Sequence, residues 1–252
     1  MSQVWAVFKR ELKSYFVSPL AYTAIASFLF VMNVLFLFTL NAYEGTRRAA
    51  AQQLQQVPGA EALVRDIYGG NVMWALIFIV PLITMRLLAE ERRQHTAELL
   101  LTAPMTTRQL VLGKFLGAVL ILAVMLALIG WMPLVLRLWG DADPAPIWTG
   151  ILAAFLYGSF LLSIGLLASS LTESTFVAAI IALGLLALVN WGGVAVGQIP
   201  IIGPGLEKFT PVENLKALVR GTIETRPIVY FLSMTLFVVD LTARVVDSQR
   251  WR

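Results

Sequence analysis

The sequence predicts an all-α integral membrane protein, with six transmembrane helices and an N-terminal amphipathic helix lying in the interface. Three observations support this. The 252 residues are 58% hydrophobic and 13% charged, whereas a soluble domain is roughly half apolar and about a quarter charged. Six apolar runs reach or approach the ~20 residues that cross a bilayer as a helix; they fall at 20–40, 72–88, 115–138, 147–168, 176–196 and 228–246. A mean hydropathy of +0.78 leaves more apolar surface than one soluble core of this size hides.

Ahead of the first run, "VWAVFKRELKSYF" alternates apolar and basic residues at helical spacing. Val4, Val7, Phe8, Leu12 and Tyr15 share one face, and Lys9, Arg10 and Lys13 turn towards the other. Residues 1–19 therefore read as an interfacial helix, and the first run is expected to stay as an anchor because it is too long for a cleavable signal. The second run contains Pro81. Neighbouring groups satisfy the carbonyl that a membrane proline frees, so a kink is expected and not a break. Between runs one and two, 41–71 reads as a helix, a break at Pro58-Gly59 and a second helix. Between runs five and six, 197–227 holds a short amphipathic helix after Pro211 that ends at Gly221, with Leu215, Leu218 and Val219 on its apolar face.

An even number of spans puts both termini on one side. With that side cytoplasmic, the inner cations are Lys9, Arg10, Lys13, Arg86, Arg92, Arg93, Arg108, Lys114, Arg244, Arg250 and Arg252. The outer ones are Arg47, Arg48, Arg65, Arg137, Lys208, Lys216, Arg220 and Arg226. The excess follows the positive-inside rule, and Trp74, Trp131, Trp139 and Trp148 form an outer aromatic belt. The net charge of +4 belongs to these flanks and gives no sign of nucleic acid.

Composition also excludes chemistry. With no Cys and one His, His95, there is no disulfide scaffold, thiolate nucleophile or Cys/His zinc site. The phosphate-cradling pattern G-x-x-x-x-G-K-[ST] is missing; "VLGKF" has neither the upstream glycine nor the following hydroxyl. ATP hydrolysis, if it drives this protein, belongs to another chain.

The segment 89–114 is more than a turn. A mixed-charge run containing Arg92 and Arg93 leads to Glu98, Leu99, Leu100, Leu101 and Thr102; Pro104 ends that stretch, and Thr106 with Gln109 forms a capping box before Arg108. Two readings stay open: a hairpin that folds back on its own bundle, or apolar knobs with a charged rim offered to a partner. In "LTEST", Thr172 is expected to cap the fifth span, with Glu173 in the favourable field of its N-terminus. Within the spans, Asp240 and Arg244 form an i,i+4 pair that lowers an insertion cost of roughly 2.5–3.5 kcal/mol per charge. Arg137 snorkels outwards, and Asn33 and Asn190 are polar groups able to join helices. Gly193 and Gly197 make a weak small-x-x-x-small face.

Three blocks, in order, resemble a known family. "ERRQHTAELLLTAPMTTRQLVLGKFLGA", "SSLTESTFVAAI" and "VRGTIETRPIVYFLSMTLFVVDLTARVVDSQRW" are similar to segments of ABC-2-type transporter permeases (type V exporter-like), most of all the gliding-motility-associated subgroup. One departure is Glu213-Asn214-Leu215, near where that subgroup has a histidine–aromatic pair. The resemblance implies a single transmembrane domain over 1–252, with a six-helix bundle over 20–246. It implies that Glu98, Leu99, Leu100, Leu101, Thr102 and Pro104 couple to an ATPase, with Arg92, Arg93 and Arg108 on the rim and Thr172 and Glu173 as a minor contact. It also implies a bacterial inner-membrane location, two ATPase copies holding ATP and Mg, and a second permease copy. This chain itself would bind no cofactor and catalyse nothing. An ATP-independent carrier or channel, and a membrane scaffold for extracytoplasmic partners, are the rival readings.

Overall fold

The computed structural model describes residues 3–52, 59–93, 106–140, 143–197 and 209–249. Among them lie six helices long and apolar enough to cross a membrane, one for each apolar run. Helix α1 (Gln3–Val17) comes first, and α2 (Pro19–Gln52) follows with 34 residues. At 1.5 Å per residue, α2 exceeds a ~30 Å hydrocarbon core. Its last turns therefore extend beyond the apolar run, where Arg48 pairs with Glu44 at 2.9 Å. Ala21, Ala24, Phe28, Met32 and Phe36 recur every three or four residues and are the buried stripe of α2.

The second helix expected after Pro58-Gly59 starts at Ala60 with Gly59 as its N-cap, and it runs on into the second span. Helix α3 (Ala60–Asp66) passes through a π turn at Ile67–Asn71 directly into α4 (Val72–Thr84). The Gly69-Gly70 pair lies in that turn, and a Cβ on Gly69 would be 3.7 Å from Val219. The helix runs through Pro81, as expected, and the Met85 N–H donates to the Pro81 carbonyl at 2.9 Å. It yields at residues 85–88 and re-forms as α5 (Ala89–Arg93).

The third run is two helices. Helix α6 (Thr107–Leu128) opens on the anticipated capping box, in which Thr106 and Gln109 exchange backbone and side-chain hydrogen bonds. It ends before Ile129-Gly130, and α7 (Trp131–Gly140) restarts there. Pro133 explains the break, because its missing N–H costs little in the first turn of a new helix and far more in the interior of an old one. Helix α8 (Pro144–Ser170) is capped by Asp143, and α9 (Thr175–Gly197) follows a tight turn. The short α10 (Pro211–Val219) is capped by Thr210, and α11 (Thr225–Gln249) closes the described chain. Gly221, at φ 95°, provides the left-handed turn between these last two.

Helix α8 is the axis of the bundle, packed by α4, α6, α9, α10 and α11. Gly150, Gly158 and Gly165 repeat along it at nearly two-turn intervals and face Tyr68, Leu76 and Thr84 of the second span. A Cβ at Gly158 would lie 2.7 Å from Leu122 and 3.1 Å from Leu76, and one at Gly165 would overlap Thr84. Two membrane helices approach this closely only through such small residues, since lipid leaves packing as the main force between them. Across the next interface, the Tyr157 hydroxyl donates to Asn190 Oδ1 at 2.8 Å. Asn190 thus joins helices as expected. Asn33 instead donates to the Leu29 carbonyl of its own helix.

Candidate functional site

One end of the bundle gathers α1, α5, the start of α6, the turn at 171–174 and the end of α11. Segment 94–105, which holds Glu98, Leu99, Leu100, Leu101, Thr102 and Pro104, lies outside the described residues. Both of its flanks are described, and both are held firmly.

The first hold is ionic. Lys114, in the second turn of α6, is 1% exposed. Its Nζ donates to Glu11 Oε1 at 2.8 Å and lies 2.9 Å from Glu91 Oε1. Arg10 reaches the same carboxylates, at 2.7 Å for Glu91 and 3.4 Å for Glu11. Two cations and two anions from α1, α5 and α6 therefore meet, with Lys114 dehydrated and Arg10 on the water side. Gly113 and Gly117 create that burial. A Cβ at 113 would lie 2.7 Å from Val7 and 3.1 Å from the Val4 carbonyl, and one at 117 would lie 3.1 Å from Glu11 Cβ. The two glycines let α1 lie directly on α6, and the lysine between them is covered. Tyr15, one turn beyond Glu11, is partly buried beside Gly117, and its buried hydroxyl has no partner among the described residues. Burial lifts this phenol well above its ordinary range, and the Glu11 charge adds to the effect.

The sequence held a local trace of this node. Glu11 falls on the stripe Val4, Val7, Phe8, Leu12 and Tyr15, where an apolar residue was due. A carboxylate on an apolar face needs a buried cation, and Lys114 between two glycines is that cation.

The second hold is a hydroxyl. Ser169, at the end of α8, accepts from the Leu88 and Ala89 N–H groups, both at 3.1 Å, and donates to the Met85 carbonyl at 3.3 Å. It thereby ties the turn at 85–88 to the axial helix and caps α5. Replacing Ser169 by alanine leaves two buried amides without a partner. The expected loss is about 1–3 kcal/mol in a denaturant titration of the purified protein. A change within error would place water, and not Ser169, on those amides.

The remaining predicted residues divide around these holds. Helix α5 packs on α9, and burial disfavours the charge of Arg92 more than the Glu173 carboxylate favours it, so the anticipated minor contact is a neighbour of α5. Arg93 is exposed. Thr172 is not the helix cap: its hydroxyl accepts the Ser174 N–H at 3.2 Å, and α9 begins only at Thr175. Ser174 holds the position before the helix, and its carbonyl accepts the Ala178 N–H at 2.9 Å. Arg108 pairs with Asp240 at 3.0 Å, while Asp240 also holds Arg244 at 2.8 Å. The expected i,i+4 pair is therefore a triad with one carboxylate, at the rim of a cavity of about 350 Å³ between Thr106–Arg108 and Ala243–Asp247. Asp247 accepts from the Thr107 hydroxyl at 3.1 Å on the same wall. Because one carboxylate serves two guanidiniums, Asp240→Leu should lower the thermal midpoint more than Arg244→Leu. Equal midpoints would mean that Arg108 contributes nothing to the triad.

Among the described residues, no three His, Asp or Glu side chains converge as metal ligands would. The face offers ion pairs and tethered backbone.

A family model described as "ABC-2 family transporter protein" matches residues 5–245. The chain is similar to the probable multidrug ABC transporter permease YbhR of Escherichia coli (strain K12), at 27% identity over 212 residues. The same figures hold for the protein of that name in Escherichia coli O157:H7. Each match covers 76% of this chain and 52% of the relative, so the chain spans about half the length of the curated relatives it matches.

Proposed function

Because the chain belongs to the ABC-2 family of transporter proteins, we propose that it is the transmembrane subunit of an ATP-binding-cassette transporter in a bacterial inner membrane. A separate ATPase holds ATP and Mg and performs the hydrolysis, and this chain converts the movement into work on an exported or extruded substrate, or into motion across the membrane. The end that carries α1 faces the cytoplasm, with both termini on that side. The assembly has two permease copies and two ATPase copies, with room for an extracytoplasmic auxiliary protein. Within the family, the blocks over 91–118, from Ser169 and from Val219 favour the gliding-motility-associated subgroup.

The observation that carries this reading is the double tether of segment 94–105. Glu91 and Lys114, on either side of it, share one buried ionic node with α1, and Ser169 fastens α5 to α8. A push on Leu99–Leu101 by a partner would pass through these fixed points to the axial helix, with Glu98, Thr102 and Pro104 shaping the contact and Arg92, Arg93 and Arg108 on its rim. Thr172 and Glu173 would add a minor contact beside Arg92.

The test is purification from native membranes with ATP and Mg. The expected result is co-purification with an ATP-binding-cassette ATPase, with hydrolysis that disappears when that chain is removed. Hydrolysis by this chain alone would refute the proposal. Substrate flux without any ATPase would favour a carrier, and stable extracytoplasmic partners without flux would favour a scaffold.

A further inference from the structure

We propose that the groove between α1 and α6 binds one anionic phospholipid, with an acyl chain between the helices and the headgroup phosphate on Lys9 and Lys13. The groove has a volume of about 490 Å³ and an entirely apolar lining, including Trp5 and Phe8 of α1, Leu116, Leu120 and Ala123 of α6, and Phe155 of α8. From Leu116 to Ala123 it follows α6 for two turns, about 10 Å of helix rise. That is most of the depth of one leaflet in a ~30 Å core. The shape suits a tail entering along α6 beneath an interfacial helix.

Charge selects the headgroup. Lys9 Nζ stands 5.6 Å from the centroid of the Trp5 ring that lines the groove, a cation–aromatic contact that holds the ammonium at the mouth. Lys13 follows one turn later on the same stripe, and both lysines are exposed. Neither has an acidic partner among the described residues. The nearby carboxylates of Glu11 and Glu91 are occupied by Arg10 and Lys114. Two exposed cations on the helix that lines an apolar slot complement a headgroup of net negative charge better than a zwitterionic one. A second copy seated here about a two-fold axis would bring the same lysines towards each other, and a soluble partner would not fill a slot that runs down α6.

The test uses the purified full-length chain in micelles, titrated with synthetic phosphatidylglycerol or phosphatidylcholine of equal chain length and read by native mass spectrometry. Wild type is expected to retain one phosphatidylglycerol at about tenfold lower concentration than phosphatidylcholine. Lys9→Gln with Lys13→Gln should abolish that preference while leaving phosphatidylcholine retention unchanged. Ala123→Phe, which fills the slot, should reduce retention of both lipids. Equal retention of the two lipids by wild type, or an unchanged preference in the double lysine variant, would overturn the proposal. So would an Ala123→Phe protein that keeps its lipid and changes its oligomeric mass, since the groove would then be a protein contact. The lysine variants alter exposed side chains only, so the lipid preference can be read even if Ala123→Phe fails to accumulate.

Discussion

Lys114→Met is expected to lower the stability of the purified protein by about 3–5 kcal/mol, the usual consequence of removing one partner from a buried ionic group. Methionine fills most of the lysine's volume, so packing of α1 on α6 through Gly113 and Gly117 is retained. Electrostatics change instead. Glu11 and Glu91 lose the ammonium that both contact, in a place where the lysine was 1% exposed, and Arg10 remains beside them. Adding Glu11→Gln restores one cation to one anion and should recover a large part of the loss. If Lys114→Met shifts the unfolding midpoint by less than about 1 kcal/mol, Lys114 behaves as a surface lysine, and the node is not a structural tether.

Leu100→Asp is expected to leave the bundle intact and abolish binding of the proposed ATPase. A charge placed at the centre of a desolvated contact removes several kcal/mol of binding, a loss of 10²-fold or more. Wild-type accumulation and thermal midpoint, together with absence of the ATPase from the purified sample, are the expected pair of results. A variant that fails to accumulate while the surviving fraction still binds ATPase would return the leucines to the bundle's own core. Comparison with Lys114→Met separates the roles. The leucine change should affect assembly and spare stability, whereas the lysine change should lower stability first.

How much of this was legible in the sequence depended on range. The apolar runs, the Thr106–Gln109 capping box and the Asp240–Arg244 pair are local patterns, and each appears where expected. The restart at Trp131 escaped because the apolar run continues through Gly130 and Pro133, and hydropathy does not register a missing N–H. The ionic node joins positions 81 and 103 residues apart, so its partners could not be paired from spacing. Only Glu11 on an apolar stripe hinted at it. Gly193 and Gly197 drew notice as a small-residue face, yet Gly193 packs against Thr210 in the approach to α10. The glycines that bring spans together are Gly150, Gly158 and Gly165, whose repeat is too long for the four-residue pattern. Arg108 was placed on a partner's rim, and its pairing with Asp240 across the bundle became visible only in three dimensions.

The central claim is that segment 94–105 is where an ATPase grips this chain, and site-specific photo-crosslinking from position 100 tests it most directly. A photoreactive residue at Leu100, activated in native membranes, should produce an adduct with the mass of this chain plus an ATP-binding-cassette ATPase. Deleting the ATPase gene should remove that adduct. Crosslinks confined to this chain's own spans, unchanged by the deletion, would contradict the account.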